Sequence, residues 1–173
     1  MRLSSDPLSN PEPLIRRVYA YVAYRIGDGP DAEDITSETF ERALRYKSSY
    51  DRSKGEPAAW LIGIARRCLA DAAPPRLAPE AVGESAAPDN VEEESVRRID
   101  LRSALAKLSQ RDRELLALRY GADLTASQIG ELLDLTTNAV EVALHRARER
   151  LAAALAGLDD GDSPEPGVAA VRI

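Results

Sequence analysis

Apolar residues recur at three- and four-residue steps along most of this 173-residue chain, broken by polar stretches rich in Gly and Pro. That period marks one-sided helices. Leu14, Ile15, Val18, Val22 and Ile26 form the first stripe, which Gly27, Gly29 and Pro30 stop. Residues 1–13, polar and proline-containing, are expected to be loose. A second helix is expected from about Asp31, where Asp31, Glu33 and Asp34 complement the positive end of the helix dipole. Its stripe is Ala32, Ile35, Thr39, Ala43 and Tyr46. A polar loop follows over 47–56, with a turn-like run at 51–55. Pro57 then opens a third helix, with Trp60, Leu61, Ile64, Cys68 and Leu69 on its apolar side and an end near Ala72.

Residues 74–94 are Ala, Pro, Glu and Asp with little periodicity, a linker by composition. The apolar pattern returns at Val96, Ile99, Leu101, Leu105 and Leu108. Ser109 is placed to cap the next helix, which carries Leu115, Leu116 and Leu118 and ends at the expected C-cap Gly121. Thr125 and Gln128 form a capping box for a short helix holding Ile129, Leu132 and Leu133. A tight connection at 134–137 leads into a longer helix from about Asn138 to Leu155, with Val140, Leu144, Ala147 and Leu151 on its buried side. A short helix, a tight turn and a longer helix make a helix-turn-helix. The fold class is therefore all-α, as two small helical domains joined by a flexible linker, the C-terminal one a helix-turn-helix. The boundaries are 1–72, linker 73–98, 99–157, and a disordered acidic tail at 158–173.

Charge refines this picture. The net charge is −6. The acidic excess falls in 73–98 and 158–173, while 1–72 and 99–157 each balance. The helical parts can therefore carry local basic faces, but the profile suits a weak DNA binder working inside a larger complex. Cys68 is the single cysteine and His145 the single histidine, so no internal disulfide can form and no ordinary zinc site is expected. No metal and no cofactor is expected. No segment approaches membrane-spanning length, and a reducing cytoplasm suits the cysteine usage.

Three features carry candidate chemistry. The second helix of the helix-turn-helix presents Thr137, Asn138, Glu141, Val142, His145, Arg146 and Arg148 away from its buried stripe, types that reach phosphates and base edges. A plain three-helix bundle has the same pattern. Trp60 with Arg66 and Arg67 suits stacking on an exposed base and holding phosphates. A core tryptophan and a solvated arginine pair is the plainer reading. Glu33, Asp34, Glu38 and Glu41 have no nucleophile, histidine or Gly-rich loop beside them, so a protein-docking or solvated face fits better than acid–base catalysis. Cys68 is expected to be simply buried.

The order of the pieces brings in a resemblance. The stretch DAEDITSETFERAL at 31–44 resembles the polymerase-docking helix of extracytoplasmic-function sigma factors of the sigma-70 family. AWLIGIARR at 59–67 resembles their promoter-melting helix. Leu108-Ser109 followed by RELLALRY at 113–120 resembles the start of their C-terminal domain, and 140–151 with LHRAR at 144–148 the recognition helix. The resemblance implies a non-enzymatic subunit that binds core RNA polymerase at the clamp helices of its largest subunit and at the flap. It implies recognition of duplex promoter DNA at the minus-thirty-five element and of the melted non-template strand at minus-ten, with an anti-sigma factor as a partner in many members. The location implied is cytoplasmic, on the nucleoid within holoenzyme.

Carried over by position, Asp34, Ser37, Glu38 and Arg42 would contact the clamp. The loop 48–56 would shape the pocket for a flipped base. Trp60, Arg66 and Arg67 would meet minus-ten DNA, and Thr137, Asn138, Glu141, His145, Arg146 and Arg148 the minus-thirty-five groove. Arg67 stands where many members have asparagine, Glu141 where lysine is frequent, and Asp134 in place of the usual turn glycine. Asp71 is followed by Ala-Ala-Pro-Pro instead of a basic run. The alternative reading is an autonomous helix-turn-helix regulator, which would have no need of the docking helix and would bind paired half-sites as a dimer.

Overall fold

A computed structural model describes residues 6–72 and 91–159, with side chains described for 97–157 of the second stretch. These residues form seven α-helices and no strand. Residues 73–90 of the expected linker and 160–173 of the expected tail lie outside the described residues.

The N-terminal half comprises α1 (Pro11–Ile26), α2 (Pro30–Arg45) and α3 (Pro57–Asp71). Each has proline in its first turn, where the missing N–H costs nothing. α1 begins before the apolar stripe does, and residues 6–10 ahead of it are anchored, where a loose start was expected; residues 1–5 lie outside the described residues. Leu8 packs on the core, its N–H donates to Asp6 Oδ1 at 2.9 Å, and Asp6 pairs with Lys47. On α2 the buried stripe is Ala32, Thr36, Thr39 and Ala43. Thr36 is 6% exposed, whereas Tyr46, expected inside, is 57% exposed. The threonine hydroxyls donate to the carbonyls of Ala32 and Ile35, both at 2.7 Å, so two polar side chains enter the core without a lost hydrogen bond.

The C-terminal half comprises α4 (Val91–Lys107), α5 (Gln110–Leu116), α6 (Ala126–Leu133) and α7 (Thr137–Asp159), with a π turn over Ala117–Gly121 after α5. Residues 91–98, expected in the linker, belong to α4, and Leu158 and Asp159, expected in the tail, end α7. Ser109 Oγ accepts from Asp112 N at 3.1 Å, as the capping pattern predicts. The capping box of Thr125 and Gln128 is present in both directions.

The two halves pack on one another. α1 lies against α5 and the π turn, and α3 touches α6. One hydrophobic cluster runs through both, joining Val18, Tyr21 and Val22 of α1 to Leu115 and Leu118, and on to Val140 and Leu144 of α7. Burial of the apolar side chains that meet across the seam favours this closed form. Gly121 does end its helix, but not as a left-handed cap. A Cβ there would sit 2.8 Å from Tyr21 N and Cα, so glycine is needed to let α1 approach.

Candidate polymerase and nucleic-acid interfaces

On α2, Asp34 and Ser37 are exposed, while Glu38 and Arg42 are half-buried beside them. Arg42 Nε meets Glu38 Oε1 at 2.7 Å, and its Nη1 meets Asp71 Oδ2, at the end of α3, at 2.7 Å. Those two carboxylates, Asp71 first, hold the guanidinium firmly protonated. An open groove of about 440 Å³ lies alongside, lined by Glu38, Arg42, Arg45, Tyr46, Ile64 and Arg67. The α2 face is thus polar, ordered by ion pairs, and accessible.

The loop before α3 is built locally. Asp51 caps its short turn, accepting from Ser53 N at 2.9 Å and Ser53 Oγ at 2.7 Å. These bonds hold the Asp51 carboxyl below its usual range, the hydroxyl contributing most. Tyr50 donates to Gly55 O at 3.0 Å and tilts against Trp60, with ring centroids 5.3 Å apart. Trp60 is half-exposed and rests on the core edge. Cys68 is buried, as expected.

In the helix-turn-helix, Asp134 occupies the left-handed region with φ 56° and ψ 48°. Leu135 N donates to Gly130 O at 2.8 Å, closing the turn. A Cβ on Gly130 would lie 2.5 Å from Leu135 O, so the turn depends on that glycine. Thr136 Oγ1 accepts from Ala139 N at 3.2 Å in the first turn of α7. Val140, Leu144 and Ala147 are buried. Thr137, Asn138, Glu141, His145, Arg146 and Arg148 are all exposed, on a helix whose other side is fully packed. His145 Nε2 lies 3.4 Å from Glu149 Oε1 one turn on.

Residues 12–73 match the family described as Sigma-70 region 2, and residues 98–151 match Sigma-70 region 4. SigD of Mycobacterium tuberculosis H37Rv, an ECF RNA polymerase sigma factor, is 33% identical over 150 residues, which cover 78% of this chain and 69% of SigD. The chain belongs to the extracytoplasmic-function (ECF) RNA polymerase sigma factors. BldN of Streptomyces coelicolor, another ECF sigma factor, is 32% identical over 144 residues; 78% of this sigma factor covers 54% of BldN, about half its length. In fold it is similar to RpoE of Bartonella quintana, solved with the anti-sigma factor NepR. The TM-score there is 0.61 at 19% identity, covering 84% of this chain and 93% of that one. CnrH, solved with the cytosolic domain of CnrY, gives 0.58 at 23%, covering 90% and 86%.

The sigma factor's three expected minus-ten residues do not share a face. Trp60 and Arg67 lie seven positions apart, nearly two helical turns, and so on one side of α3. Arg67 is exposed. Arg66 turns the other way: its Nε meets Glu114 Oε1 at 2.9 Å and its Nη1 donates to Leu132 O at 3.2 Å. Sequence reasoning missed Glu114, Tyr21 and Arg25, which gather around it. No local pattern marks Glu114 as their meeting point, because Tyr21 lies 93 and Arg66 48 positions from it in the chain. Arg17 was missed as well; it donates to the carbonyls of Ala122 at 2.7 Å and Asp123 at 3.0 Å. Among the described residues no helix is long and apolar enough to cross a membrane.

Proposed function

We propose that this sigma factor divides its work between its two halves. The α2 face of Asp34, Ser37, Glu38 and Arg42 docks on the polymerase clamp. The exposed side of α7, from Thr137 to Arg148, lies in the major groove of the minus-thirty-five element. Trp60 and Arg67, with the loop 48–56, meet the melted non-template strand at minus-ten, and Arg66 joins them once released from Glu114. The helical parts are 1–72 and 91–159, joined by residues 73–90. Sigma factors regulate initiation and make or break no bond, so binding energy alone does the work, in the cytoplasm where polymerase and promoter meet. An anti-sigma factor of the kind seated on RpoE would have these same faces to cover.

The observation that carries this reading is the pairing, in one chain, of an accessible ion-paired α2 face with a helix-turn-helix whose second helix is bare on one side. An autonomous regulator needs only the second. Run-off transcription with bacterial core polymerase on a promoter library tests it. Discrete transcripts that require the protein are expected. Absence of transcripts, with a shift of duplex DNA by a dimer of the chain alone, would establish the autonomous reading instead.

A further inference from the structure

The seam between the halves carries polar contacts where Arg17 meets the Ala122 and Asp123 carbonyls and again around Glu114, and the second place holds a residue proposed to meet DNA. Glu114 of α5, with its side chain 14% exposed, receives Arg66 Nε at 2.9 Å and the Tyr21 hydroxyl at 3.1 Å, and pairs with Arg25. Arg25 Nη1 also donates to the Tyr21 oxygen at 3.1 Å. The neighbouring residue, Arg113, has Nε and Nη1 buried without a hydrogen-bond partner among the described residues. Burial, and then the nearby Arg25, lower its affinity for the proton. Two guanidinium groups, of Arg66 and Arg25, therefore share one carboxylate.

Such a cluster is finely balanced. Closure is favoured by the buried side chains of Val18, Tyr21, Val22, Leu115 and Leu118. It is opposed by the cost of burying polar nitrogens without partners, such as Arg113 Nε and Nη1. Glu114 supplies the negative charge that tips the balance. Its carboxylate also holds Arg66 as a phosphate would, by a charge-assisted bond, while Leu132 O takes the second nitrogen.

We propose that Glu114 is a conformational latch: it holds the two halves closed and occupies Arg66, so that single-stranded DNA reaches Arg66 only after the seam between α1 and the π turn opens. The proposal rests on the minus-ten reading of Arg66. Opening frees Arg66 from Glu114 and exposes the apolar side of α1, so an anionic strand and an opened chain favour one another by linkage.

The test uses the full chain carrying C68S, with dyes on E12C and S127C, both exposed sites in opposite halves. Energy transfer between the dyes reports separation. A fluorescein-labelled 30-nucleotide mixed-sequence single strand reports binding. E114Q keeps the side-chain shape and removes the charge. G121A is the second variant, since its Cβ would wedge against the Tyr21 backbone without touching any charge. Both are expected to lower transfer, keep helical circular dichroism, and bind the strand about tenfold more tightly. Adding R66A should abolish the gain in each. Unchanged transfer in E114Q, or a binding gain that survives R66A, overturns the latch. Should E114Q lose helicity, G121A with and without R66A decides by the same criteria. Transcripts from the wild-type chain alongside unmoved transfer in E114Q sink the latch alone. Absent transcripts alongside an opening in E114Q sink the promoter reading, and with it the DNA role of Arg66.

Discussion

Asp112, in the first turn of α5, accepts from Arg150 of α7 through both carboxylate oxygens, each at 2.9 Å. The Asp112 side chain is 7% exposed and Arg150 58%. The pair ties the start of the C-terminal half to the far part of its recognition helix, and it takes Arg150 out of the set available to DNA. R150A leaves the buried Asp112 carboxylate without its cation and should cost roughly 1–3 kcal/mol. D112A leaves only the largely exposed Arg150, which water re-solvates, and should cost about 1 kcal/mol or less. Urea denaturation followed by helical circular dichroism measures both. Equal costs for the two would contradict this difference in burial.

Asp134 carries a positive φ of 56° in the turn of the helix-turn-helix. An L-residue other than glycine pays for that conformation, though aspartate pays less than most. D134G should raise the stability of the C-terminal half by about 0.5–1 kcal/mol, seen as a higher urea midpoint. The reverse case is Gly130. G130A drives a Cβ into the Leu135 carbonyl and should cost roughly 1–3 kcal/mol. It should also reduce transcription that depends on the minus-thirty-five element, since the turn sets the angle of α7.

Glu38 on α2 is held by Arg42 and bounds the groove. E38K places a cation beside Arg42 and reverses the charge offered to polymerase. Helicity should be retained, since the position is at the surface, while pull-down of core polymerase falls by about tenfold or more. Undiminished capture would remove this face from the docking surface.

Arg146 is exposed on α7 and has no structural partner to lose among the interactions described above. R146A should weaken duplex binding and flatten its salt dependence by about one unit of slope. Promoters with the minus-thirty-five element should lose activity selectively. An equal loss on promoters lacking the element would move Arg146 out of the groove.

Asp51 gives a pH prediction. Its carboxyl titrates below the ordinary range in the folded chain because Ser53 bonds the ionised form. The ordering it provides is complete above the unfolded value, about 3.9, and is lost as pH falls through the depressed folded value. Trp60 emission, sensitive to Tyr50 in the same loop, should change over that acid window. D51N should lack the step.

How much of this was legible beforehand follows from the range of each interaction. Helix positions, the capping box at Thr125, the serine cap at Ser109 and the buried stripe of α7 rest on residues within a turn of one another, and periodicity reports them directly. The exposure of the α7 residues proposed to meet DNA was legible for the same reason: they are what remains when the stripe is buried. Thr36 and Tyr46 of α2 departed from expectation because a hydroxyl that bonds its own helix can enter a core, and a residue at a helix end can leave it.

The sequence by itself determined the helices, their caps, the helix-turn-helix and the family resemblance. Tertiary structure alone decided that Arg66 and Arg67, adjacent in the chain, face different worlds. It likewise assigned Gly121 to a close approach by α1 and Arg150 to Asp112. These choices depend on which surfaces meet when the two halves close. A charged side chain carries no local sign of its partner, because water serves an arginine as well as a carboxylate does until burial removes the water.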